Sequence, residues 1–172
     1  MSEALGSYAI FCDDIRTEAN GKGIFIGVYR DAMFFVGNPP WVLPQFHINV
    51  VYRASADASG EPIRFEIRTY SEQGMKVLGA LEPDFSATKD KHRPEPFRLP
   101  FEPSNITPML QAQFNFALAP LVLTGDTRIS VHAISQGRDT IIDRLRVLKS
   151  DEAEAFNSSM VAVAVRPVSP TP

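Results

Sequence analysis

Apolar and polar residues alternate with a period of two along most of this chain. Phe46, Ile48, Val50 and Tyr52 share one face of an extended segment, and His47, Asn49, Val51 and Arg53 share the other, mostly polar face. A strand with one face on a core and one toward water has this pattern. Ile63, Phe65 and Ile67 alternate with Arg64, Glu66 and Arg68 in the same way, and residues 111–118 place Ala112, Phe114, Phe116 and Leu118 inward. Ile129, Val131 and Ala133 form the apolar face of 128–134, with His132 on the polar side. Turn signals at 71–74 and at Gln136-Gly137 predict return strands over 75–81 and 138–148.

Two further segments, 7–13 and 23–29, are apolar on both faces and read as strands covered on both sides. Asn20-Gly21 lies between them, a strong hairpin signal because both residues tolerate positive φ. Residues 30–44 carry Asn38-Pro39-Pro40-Trp41 and read as a loop with aromatic content. Residues 82–96 are polar and Pro-bearing, a long surface loop, and 97–101 form a short alternating piece. Beyond Ser150 come an acidic stretch with helical tendency, a MVAVAV run with strand character and a Pro-rich end. About eight or nine short strands, and no long amphipathic helix, predict an all-β fold. The expected form is an antiparallel β-sandwich, Ig-like or C2-like, over residues 1–149, followed by a tail over 150–172.

Composition narrows the function classes. The 172 residues fit one domain, and 44% hydrophobic with 22% charged residues is ordinary for a globular protein. A net charge of -3 argues against a large basic surface for nucleic acid. The single cysteine, Cys12, forms no internal disulfide, which suits the cytoplasm. The opening MSEALGSYAIFCDDIR lacks the basic and long apolar regions of a signal peptide, and no apolar run is long enough for a membrane span.

The segment FCDDIRTEANGKGIFIGVY resembles the opening of an uncharacterised bacterial and phage family of unknown function. Cys12, Asp13, Asp14, Ile15, Arg16, Glu18, Gly21, Lys22, Ile26, Gly27, Val28 and Tyr29 carry the likeness. The resemblance implies a β-sandwich and brings no catalytic residues with it.

Candidate chemistry is sparse. Cys12, His47, His92 and His132 lack metal-ligand spacing, and no G-x-S-x-G or phosphate-binding loop is present. No cofactor is expected. Lys89, Lys91, His92 and Arg93 form a basic cluster that reads as solvated. Asp13, Asp14 and Arg16 have two readings. They fix the first hairpin, or they hold a small ligand, since Arg16 can fork onto a carboxylate. Met33, Phe34, Phe35 and Trp41 are many apolar groups for a connection, and they either cover the core or meet a partner. The reading favoured by these features is a non-catalytic binding or assembly module that meets a protein partner or its own copies, with no nucleic acid and no membrane. The rival is a ligand-binding protein or enzyme centred on Asp13, Asp14 and Arg16.

Overall fold

Phe46, Ile48, Val50 and Ala54 are fully buried along one face of a single strand, and Phe65, Ile67, Ile129, Val131, Leu145 and Val147 are fully buried on three others. The alternation seen in the sequence therefore marks a real core. The computed structural model describes residues 6–55, 62–84 and 109–150. The strands are β1 (Tyr8–Cys12), β2 (Asp14–Thr17), β3 (Gly23–Ile26), β4 (Ala32–Phe35), β5 (Trp41–Leu43), β6 (Phe46–Ser55), β7 (Arg64–Ser71), β8 (Gly74–Leu81), β9 (Met109–Leu118), β10 (Leu121–Leu123), β11 (Thr127–Ser135) and β12 (Arg138–Lys149). The fold is all-β, with no α-helix among the described residues.

A three-stranded sheet has the order β1-β6-β9, and a five-stranded sheet has the order β4-β12-β11-β7-β8. β5 with β10, and β2 with β3, make two ribbons. All pairs are antiparallel except β4 with β12. One apolar cluster joins residues of both larger sheets, and Phe65 of the five-stranded sheet touches Tyr52 and Phe114 of the three-stranded one, with ring centroids 5.1 and 4.7 Å apart.

Among the described residues twelve strands are present where about eight or nine were expected. The apolar run 23–29 breaks because Gly27 takes φ +66°, a region other residues avoid, and Tyr29 then pairs only as a single bridge with Phe11. The 30–44 connection contributes β4 and β5, although Pro39-Pro40 does interrupt it. β10 is three residues long, too short to show a period. The predicted hairpins at 71–74 and 136–137 form as expected, with Gln136 and Gly137 both at positive φ. Around Asn20-Gly21 the geometry differs. Gly21 N–H donates to Glu18 O, Glu18 N–H donates to Lys22 O, and only Gly21 has positive φ, so the loop is a type I turn closed by a left-handed glycine.

The polar face of β6 is more covered than its alternation suggests. Asn49 and Val51 are buried, and Asn49 Nδ2 donates to Asn115 Oδ1 at 2.6 Å. β12 carries a bulge where the register passes from Val131–Asp143 to His132–Ile141. Beside it, Asp143 Oδ2 accepts the N–H of Ala9 at 3.0 Å and so blocks one donor on the edge of β1. The features expected over 85–108 and 151–172, including the basic cluster, the MVAVAV run and the helical tendency, lie outside the described residues.

Candidate functional site

The two aspartates that open the first hairpin have separate environments. Asp13 sits between β1 and β2, where its N–H donates to Ile26 O at 2.9 Å. Its Oδ1 accepts a short hydrogen bond from the Tyr29 hydroxyl. Its Oδ2 occupies the space over Gly27, 1.9 Å from where a Cβ at that position would lie. Gly27 is therefore required twice, by its φ and by the carboxylate on its face. Burial, and then the hydrogen bond to Asp13, hold the Tyr29 phenol well above its ordinary pKa. Burial also pushes the Cys12 thiol up to about 11, and the charges of Asp13 and Asp14 act in the same direction. This thiol is a poor nucleophile at neutral pH.

Asp14 faces away from that knot. Arg16 Nε donates to Asp14 Oδ2 at 2.8 Å, and the Arg16 side chain is 69% exposed. The guanidinium's hydrogen bond holds the Asp14 carboxyl below its usual range. The three residues thus do not converge: Asp13 is tied to Tyr29 and Gly27, while Asp14 and Arg16 form a pair in water. A cavity of about 210 Å³ lies elsewhere, beside the β7–β8 turn and β10, with Thr69, Lys76 and Thr127 in its wall.

The aromatic connection divides in the same manner. Met33 and Trp41 are buried, at 4% and 5% exposure, so neither offers a surface to a partner. Phe35 stacks on Trp41 with centroids 5.1 Å apart, and the Trp41 Nε1–H donates to Gly37 O at 3.3 Å. Phe34 is half-buried on β4, in register with Leu148 of β12. Val36 and Val42 are exposed apolar groups of this stretch, at 87% and 55%.

A different cluster lies on the outward face of the five-stranded sheet. Glu66 on β7 accepts from Arg64 Nε and from Arg68 Nε, both at 2.7 Å. Arg68 also reaches Asp139 on β12, and Asp139 Oδ1 lies 2.6 Å from Nδ1 of buried His132. A carboxylate only accepts hydrogen bonds, so His132 Nδ1 carries the proton. His132 Nε2 lies 2.9 Å from the Ser130 hydroxyl oxygen. The Arg68 hydrogen bond dominates at Glu66, outweighs burial and holds that carboxyl low. At Asp139 burial opposes the charge, but hydrogen bonds from His132 and Arg68 prevail and the pKa falls. Ser130, His132 and Asp139 have the connectivity of a Ser–His–Asp relay. Ser130 is only 1% exposed, however, and its Oγ is closed to a substrate carbonyl.

Sequence reasoning placed Arg64, Glu66 and Arg68 on one polar strand face but treated His132 separately. Cross-strand pairing of Ser130 with Arg68 and of His132 with Glu66 joins them. It also missed the character of β8. Among the described residues β8 pairs with β7 alone, and Met75 and Val77 are 56% and 40% exposed on it. Lys76 is its one charged residue. β9, with β6 as its one partner among the described residues, instead turns Gln111, Gln113 and Asn115 to solvent.

These features describe an all-β protein with surface strands and buried polar ties, in which the described residues hold no group of three or more His, Cys, Asp or Glu placed for a metal. The chain belongs to a family of unknown function, DUF6941, which matches residues 7–107. That match spans the first hairpin, the aromatic connection and β6 to β8. No curated protein matches the chain. No helix among the described residues is long and apolar enough to cross a membrane.

Proposed function

We propose that the protein is a non-catalytic binding module whose β8 edge accepts a strand from a protein partner. One observation carries this reading: an eight-residue strand presents exposed Met75 and Val77, a single charge and one neighbour among the described residues. Edge strands left this open invite pairing, and proteins that avoid it place charges or proline there. Main-chain hydrogen bonds supply affinity in this mode, and alternate side chains supply selectivity. The two larger sheets around one core read as an antiparallel sandwich of Ig-like or C2-like type, a scaffold that suits display of edges and loops. A bacterial or phage protein working in the cytoplasm fits the sequence resemblance and the lone thiol.

The test compares wild type with Met75→Lys/Val77→Lys, both at exposed positions, with circular dichroism to confirm that the variant is folded. Tagged proteins are used for capture from the source cell, and sedimentation velocity reports self-association. Loss of a captured partner, or of self-association, in the double variant supports the edge. A partner set and sedimentation profile identical for both proteins refute it.

A further inference from the structure

The outward face of the five-stranded sheet is divided by charge. At one end Glu66 and Asp139 are held by Arg64, Arg68 and His132. At the other end Arg128 of β11 and Arg144 of β12 are both exposed, and neither makes an ion pair with a described residue. Arg146 is also exposed and stands directly opposite Arg128. Ser130 stands opposite Arg144, so Arg128 and Arg144 are diagonal neighbours. Asp126, just before β11, accepts the Lys149 N–H at 3.2 Å.

Arg128 is also held in place. Arg128 lies over the Tyr70 ring with its guanidinium carbon 4.6 Å from the centroid. Tyr70 pairs with Met75 of β8, so cation, ring and exposed thioether form one row across the sheet. Arginine, tyrosine and methionine are enriched where proteins bind proteins.

We infer that Arg128 and Arg144 form a docking site for an extended acidic segment of a protein, with carboxylates at alternate positions. Side chains two apart on a strand are spaced about 6.5–7 Å, and diagonal pairs on a sheet about 7–8 Å. A Glu-x-Glu repeat therefore meets successive guanidinium groups without distortion, and each carboxylate can be bound by a fork. A nucleic acid is less suited. Its phosphates continue past the cluster into Glu66 and Asp139, and the chain as a whole carries a net charge of -3. The site adjoins the β8 edge through Tyr70 and Met75, but its arginines lie on β11 and β12, so it stands whether or not that edge pairs.

Fluorescence anisotropy tests it with a labelled peptide of alternating serine and glutamate, the matching lysine peptide and a single-stranded thymidine oligonucleotide. The glutamate peptide is expected to bind at low salt, to weaken as salt rises, and to lose about tenfold in affinity in Arg128→Gln/Arg144→Gln. Arg138→Gln removes one charge on the same strand outside the cluster and should leave binding unchanged. Circular dichroism confirms that each variant is folded. Absence of peptide binding, an equal loss in Arg138→Gln, or tighter binding of the oligonucleotide overturns the assignment.

Discussion

Gly27→Ala probes the knot at the base of the first hairpin. An added Cβ would lie 1.9 Å from Asp13 Oδ2 and 2.6 Å from its Cγ, distances no packing permits. The carboxylate must leave, and its hydrogen bond with Tyr29 goes with it. A left-handed conformation costs an L-residue about 1–2 kcal/mol, and losing a charged, part-buried hydrogen bond costs about 1–3 kcal/mol. The sum is about 2–5 kcal/mol, a shift of about 1 M or more in urea midpoint at a slope of about 2 kcal/mol/M. Trp41, the single tryptophan and 5% exposed, reports unfolding by fluorescence. In an Asp13→Ala background the carboxylate is already gone, so Gly27→Ala should cost only about the backbone share, 1–2 kcal/mol. Gly21→Ala is the control, since Gly21 has φ +83° and open space around it. Equal costs for Gly27→Ala in both backgrounds, or a cost no larger than that of Gly21→Ala, would refute the account.

Asp14→Ala should leave the urea midpoint where it is, because its partner Arg16 lies in water; a large drop would place Asp14 in the structural knot. Cys12 should resist a thiol reagent at pH 8 in the folded protein and react on unfolding, since its pKa is raised to about 11. Because the folded value is the higher one, its contribution to stability is full below the unfolded value of about 8.5 and disappears as pH rises toward 11. A rapid reaction in the native state would contradict this. Glu66 and Asp139 have lowered folded values, so their contribution is present above pH of about 4 and is lost as pH falls through those lower values. Glu66→Gln should cost about 1–3 kcal/mol at neutral pH and flatten the acid limb of a melting-temperature profile. An acid limb as steep as wild type would exclude Glu66 as its source.

Much of the fold was legible in the sequence because alternation encodes which face is buried. β6, β7, β9, β11 and β12 emerge from Phe46–Tyr52, Phe65–Ile67, Phe114–Phe116, Ile129–Ala133 and Leu145–Val147 with little ambiguity. Short strands were not legible, since three or four residues such as Leu121–Leu123 show no period. Nor was the break at Gly27, where a positive φ meets the carboxylate of Asp13, fourteen residues away in the chain. The first hairpin drew attention through Asp13 and Asp14, but sequence cannot say which of two adjacent aspartates turns inward. The network of Arg68, His132 and Asp139 needed the pairing of β11 with both β7 and β12, a long-range fact. The openness of β8 is likewise a property of what lies beside it. Met75–Leu81 reads as a strand, but edge position is set by sheet order.

The central claim is that β8 receives a partner's strand. Amide hydrogen exchange, measured on the free protein and on the complex with a captured partner, tests it most directly. The account predicts slowed exchange across Gly74–Leu81 in the complex, as edge N–H groups gain acceptors. Unchanged exchange in β8 with protection gained elsewhere would contradict it.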